Sequence, residues 1–300
     1  MSWLQELTDE LTRRGVRGAD RRRIVSELHD HIACEPGCEE RLGDPAALAD
    51  VFANELATAR TRRSALAAFG ALAAVAAVLA YSQLALAALG YPGFDHGHSQ
   101  LLFWPALFGM FVAPQAALVA GTLAALRAYR RRGARSMPAA ELALIRRRAR
   151  VALISGALVV AGIELYVINF SSRLAAWWLV SVAILAALSG LGLLAAWRAA
   201  SSAGTIVADM PGRAGDVFDD VPVLGAAWLR AHPWALGAAA SLAVGLLMAA
   251  FEAHAEHSVI EGVQRGVVEG LAAAAGFALL GRALGVARRR HGAESHPEAG

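Results

Sequence analysis

In "HDHIACEPGC", His29, His31, Cys34 and Cys38 are four potential zinc donors, because imidazole nitrogen and thiolate sulfur are the ligands that ion takes. Their spacing is adverse. His31 and Cys34 could share a helix face, but Cys34 and Cys38 are separated by Glu-Pro-Gly, not by the two residues of a zinc knuckle. Packing at a helix end accounts for the same residues without a metal. A second set of donors lies in two polar stretches, Asp95, His96 and His98 in one and Glu252, His254, Glu256, His257 and Glu261 in the other. Together they could gather a divalent transition metal or titrate near neutrality as a group; short loops are also polar for solvation alone. Glu164 is different in kind, being a carboxylate within an apolar run. Such a residue is costly in lipid and marks either a substrate or proton path or a bond to a neighbouring helix. Glu269, near the end of another apolar run, reads as a headgroup-level residue.

No nucleophile elbow, HExxH or phosphate-binding glycine loop occurs, so neither an enzyme nor a cofactor is expected.

The elements that would carry these residues are read from hydropathy. The 300 residues are 57% hydrophobic and only 18% charged, with a mean hydropathy of +0.46; an ordinary soluble domain is poorer in apolar and richer in charged residues. An α-helix crosses a bilayer with about 20 apolar residues. Six stretches qualify, near 64–88, 101–126, 151–170, 174–197, 233–252 and 266–287. The expected fold is therefore all-α, with a polytopic bundle over 63–290 and a disordered tail over 291–300.

Every basic residue is an arginine, and the arginines cluster before the first stretch, after the second, between the fourth and fifth, and after the sixth. Arginines near span ends are retained on the cytoplasmic side. This pattern predicts a multi-pass protein of the bacterial plasma membrane with both termini in the cytoplasm. Gly262, Gly266 and Gly270 recur every four residues and so line one helix face. That face serves close packing inside the bundle or homodimerisation.

The first 62 residues are of another character. Trp3, Leu4, Leu7 and Leu11 have helical spacing and predict a helix ending near Gly15. Asp20 reads as the cap of a second helix, with Ile24, Leu28 and Ile32 as its stripe, stopped by Pro36 and Gly37. Gly43, Asp44 and Pro45 form a stop, a cap and a first helical residue, opening a third helix through Leu48, Val51, Phe52 and Leu56. Arg13, Arg14, Arg17, Arg21, Arg22 and Arg23 form a basic cluster suited to anionic headgroups of membrane lipids. No recognition-helix motif accompanies it, so direct nucleic-acid binding is not expected.

The blocks "RRIVSELHDHI" and "ERLGDPAALADVFANEL" resemble the HAAS family, a helical signalling domain at the cytoplasmic N-terminus of bacterial multi-span membrane proteins. The likeness covers residues 1–60. It implies a three-helix cytoplasmic domain that works with a PadR-like transcription regulator, with Arg23, Glu27, Asp30, His31, Asp44 and Glu55 as partner-binding residues and no catalytic group. A regulatory or sensory membrane protein is the reading that follows. Its rival is a transporter component with Glu164 on the substrate or proton path.

Overall fold

The computed structural model describes residues 2–35, 37–89, 99–212, 232, 234–255 and 259–284, and all regular structure among them is helical. The chain divides into two units, Met1–Ala214 and Gly215–Gly300.

In the first unit, α1 (Trp3–Arg13) begins at Ser2, whose hydroxyl accepts from the Gln5 N–H, and is followed by Gly15 at φ 79°. Helix α2 (Gly18–Cys34) starts earlier than expected. Arg17 is its N-terminal flank and provides no side-chain cap, while Asp20 sits inside the first turn and pairs instead with Arg60. A carboxylate there still suits the positive end of the helix. The linking segment contains a one-turn helix, α3 (Glu39–Leu42). Gly43 then turns the chain at φ 76°. Asp44 Oδ2 accepts from the Ala47 N–H at 3.0 Å, and Pro45 is the first residue of α4.

Helix α4 (Pro45–Leu89) has 45 residues, about 68 Å at 1.5 Å per residue. The expected third helix and first span are thus one rod, and no break follows residue 62. Its buried stripe explains this: Ala49, Ala53, Ala57, Thr61, Ala65, Ala68, Leu72 and Val75 follow one another every three or four residues. Arg60, Arg62 and Arg63 are less buried than this stripe and leave it intact. The N-terminal helices accordingly belong to the same compact unit as the bundle, where a separate three-helix domain was expected.

The chain continues through α5 (Gln100–Leu107), a π-helical turn (Phe108–Val112) and α6 (Ala113–Arg130). Pro105 lies inside α5 and Pro114 near the start of α6, and each lacks a backbone N–H, which favours irregular hydrogen bonding between them. Helix α7 (Ala139–Phe170) is followed by a short 3-10 turn (Ser171–Arg173) and α8 (Ala176–Ala203). Among the described residues, four helices are long and apolar enough to cross a membrane: Pro45–Ser82, Leu101–Arg130, Ala139–Phe170 and Ala176–Ala203.

The core follows a heptad. Leu142, Ile145, Ala149, Ala152, Gly156, Val159, Ile163, Tyr166 and Phe170 alternate spacings of three and four, and all are buried, as a near-parallel bundle of helices requires. Close approach comes from small residues. A Cβ on Gly109 would lie 2.6 Å from Gly162 Cα, and one on Gly156 would lie 2.8 Å from Leu72 Cδ2. Exposed Trp and Tyr side chains of this unit sit at two levels, Trp104 and Trp177 at one end and Tyr129 and Trp197 at the other. The two on α8 are about 30 Å apart along its axis, with Val180, Ile184, Leu188, Leu191 and Leu194 exposed between them.

In the second unit, α9 (Trp234–Ala255) and α10 (Val259–Leu284) pack together. Gly262, Gly266 and Gly270 lie against Gly245, Ala249 and Ala253 of α9; a Cβ on Gly262 would meet the Ala249 carbonyl oxygen at 2.6 Å. The glycine face is therefore occupied within the chain.

Candidate functional site

The densest polar structure lies where the N-terminal helices meet the arginine-rich end of the bundle. It is built on α1, whose Leu7 and Leu11 are fully buried, together with Val16 just beyond it. Trp3 Nε1 donates to the Gly43 carbonyl at 2.8 Å and ties the start of α1 to the entry of α4. At the other end of α1, Arg14 Nη2 donates to Asp50 Oδ2 of α4 at 2.9 Å, and Nη1 pairs with Glu10. The hydrogen bonds from Arg14 hold the Asp50 carboxyl below its ordinary range, and the same contact with Asp50 raises the Arg14 guanidinium. Asp20 and Arg60 make a second α2–α4 tie.

A strap following α8 completes the joint. Val207 N–H donates to the Arg14 carbonyl at 3.0 Å, Asp209 N–H to Asn54 Oδ1 at 3.2 Å, and Ala139 N–H to the Met210 carbonyl at 3.0 Å. The strap thus joins α1, α4 and α7, with Ile206 buried beneath it. Gly15 is required twice here: its φ is left-handed, and a Cβ would collide with the Thr205 carbonyl.

Beside this joint, the turn between α6 and α7 is pinned to α4. Arg62 Nη2 donates to the carbonyls of Arg131 and Ala134 at 2.8 and 2.9 Å, and Met137 N–H donates to Thr58 Oγ1 at 3.0 Å. Arg146 Nε donates to Thr61 Oγ1 at 2.9 Å. Buried Glu141 accepts from Arg127 Nε at 3.1 Å and Arg131 Nε at 3.2 Å, which neutralises its charge locally. Arg148, on the same helix as Glu141, is also fully buried. A cleft of about 370 Å³ opens between α4 and this turn, lined by Glu55, Thr58, Arg62, Arg132 and Arg135.

The expected partner-binding residues fall into two groups. Arg23, Glu27, Asp30 and His31 are exposed on α2, where Ile24 is the buried residue and Arg23 Nε donates to Glu27 Oε1 at 2.7 Å. Asp44 is committed to capping α4, and Glu55 faces the cleft. The basic cluster is also partly spent: Arg13 and Arg14 pair with Glu10, and Arg21 Nη1 donates to Thr12 Oγ1 at 2.8 Å.

Among the described residues no three His, Cys, Asp or Glu side chains assemble as a metal site. Cys34 is exposed and Cys38 buried, both as free thiols, and His31 is exposed. His96, His98 and His257 lie outside the described residues, as do the side chains of His254 and Glu269 and the tail 291–300. Glu164 is half-buried on α7, with no hydrogen bond or ion pair among the described residues. Sequence reasoning missed the joint because its bonds link residues as far apart as Arg14 and Val207; the one local signal was the excess of Arg and Thr at 58–63. No protein-family model, curated protein or solved structure matches this chain.

Proposed function

We propose that the protein is a membrane-embedded regulator that presents α2 to a cytoplasmic protein partner. The observation that carries this reading is the state of α2. It is a 17-residue helix with Ile24 alone buried, and its charged face is free for contact. The joint holds that face at a fixed position on the bundle, so a change of bundle conformation would move the docking surface. The HAAS-like residues of α2 favour a PadR-like regulator as the partner. In the same reading α9 and α10, with 22 and 26 residues, are the fifth and sixth spans, and the arginine-rich end faces the cytoplasm of a bacterial cell. The two aromatic levels about 30 Å apart, with aliphatic side chains exposed between them, support immersion in a bilayer.

The test is affinity purification of the full-length protein from its native membrane, followed by mass spectrometry, beside Glu27→Arg and Asp30→Arg variants. A transcription regulator recovered with the wild type and lost from both variants is expected. An identical protein set from all three would overturn the assignment of α2. The full chain is the right material, because residues 1–62 alone would lose the strap and would cut α4 in two.

A further inference from the structure

The cleft between α4 and the α6–α7 turn carries charges that do not neutralise one another. Arg62, Arg132 and Arg135 lie on its walls with Glu55, yet none of the four forms an ion pair among the described residues. Arg62 uses Nη2 on two carbonyls, and its buried Nε has no acceptor among the described residues. Arg132 stacks its guanidinium over the Tyr129 ring at 4.4 Å. Oppositely charged groups sharing one cleft without touching leave room for a ligand that bears both charges. The volume is that of a small-molecule site, about 300–1,000 Å³.

We propose that this cleft binds an ethanolamine phosphodiester, with the phosphate on Arg62 and Arg135 and the ammonium on Glu55. Guanidinium groups match phosphate oxygens in charge and geometry. The carboxylate disfavours a purely anionic group and pairs with a neighbouring ammonium, which selects ethanolamine over glycerol. The source is a lipid headgroup, since exposed Tyr129 and Trp197 mark this end of the bundle as the aromatic level at a bilayer surface. The inference rests on the membrane reading but not on the identity of the protein partner.

The test incubates full-length protein in detergent with an equal mixture of phosphatidylcholine, phosphatidylethanolamine and phosphatidylglycerol, then quantifies the co-purifying lipid by mass spectrometry. Phosphatidylethanolamine should be enriched. Arg135→Gln should weaken its retention roughly tenfold, the size of one lost charge-assisted hydrogen bond. Glu55→Gln should abolish the preference over phosphatidylglycerol while leaving total phospholipid retention in place. Neither side chain makes a bond within the described residues, so both variants should fold. Phosphatidylglycerol retained as well as phosphatidylethanolamine by the wild type, or retention indifferent to Arg135→Gln, would overturn the site. Displacement of the lipid by soluble O-phosphoethanolamine at equal concentration would overturn the lipid source. Failure of the wild type to float with vesicles would instead sink the membrane reading, a distinct result.

Discussion

Single residues decide whether the N-terminal helices stay on the bundle. Gly15 was legible as a helix end from its type and position, but its second constraint, the Thr205 carbonyl against its Cα, joins residues 190 positions apart and has no local signature. Gly15→Ala should therefore cost more than the left-handed backbone alone, about 2 kcal/mol or more, read as a lowered thermal midpoint in detergent. Asp50 gives a pH signature. Its folded carboxyl titrates below the ordinary 3.8, chiefly through the hydrogen bonds from Arg14. A depressed carboxylate contributes stability above its unfolded pKa and loses it as pH falls through the folded one. Asp50→Asn should thus be less stable than wild type at neutral pH, and the gap should close only as the pH falls through about 4 and below. A gap that persisted unchanged into acid would show that the ion pair is not the source.

At the scale of helices, hydropathy located four apolar helices long enough to cross a membrane, and Gly43-Asp44-Pro45 marked the entry of α4 through its turn and cap chemistry. The continuity of α4 was not legible, because "ARTRRS" has the composition of a boundary while its Thr61 and Ser64, like Ala65 just beyond it, stay on the buried stripe. Composition averages over the faces of a helix; packing does not. The same distinction governs Leu72, which sits between Gly121 of α6 and Gly156 of α7. Shortening Leu72 to Ala should open a cavity and destabilise by roughly 2–4 kcal/mol. Gly156→Ala brings a methyl against Leu72 and Leu193, both at 3.0 Å or less. In the double variant the new methyl enters space that Leu72 has vacated, so its cost should be smaller than the sum of the two singles. Strict additivity in denaturation of the purified protein would refute the knob-between-glycines geometry.

For the whole molecule, orientation in the membrane connects the joint, α2 and the cleft, since all three lie at the arginine-rich end of the first unit. The proposed orientation, from arginine retention on the cytoplasmic side, would put that end inside the cell, and a native reporter is already present to test it. Cys34 is exposed at the end of α2, and Cys38 is buried. With Cys38→Ser removing the second thiol, Cys34 is the single cysteine of the chain. A membrane-impermeant maleimide should leave it unlabelled in intact cells and label it fully once the membrane is opened. A control cysteine at exposed Trp177, at the opposite aromatic level, should react in intact cells. The two sites report on opposite ends of the same unit, so a reversed pattern would invert the topology and with it the cytoplasmic partner. Labelling of both sites in intact cells would put them on one side of the membrane, against the crossing of all three helices Pro45–Ser82, Leu101–Arg130 and Ala139–Phe170 between them. The predicted pattern, one site silent and one reactive, leaves α2 facing the cytoplasm, where its charged face can meet a regulator.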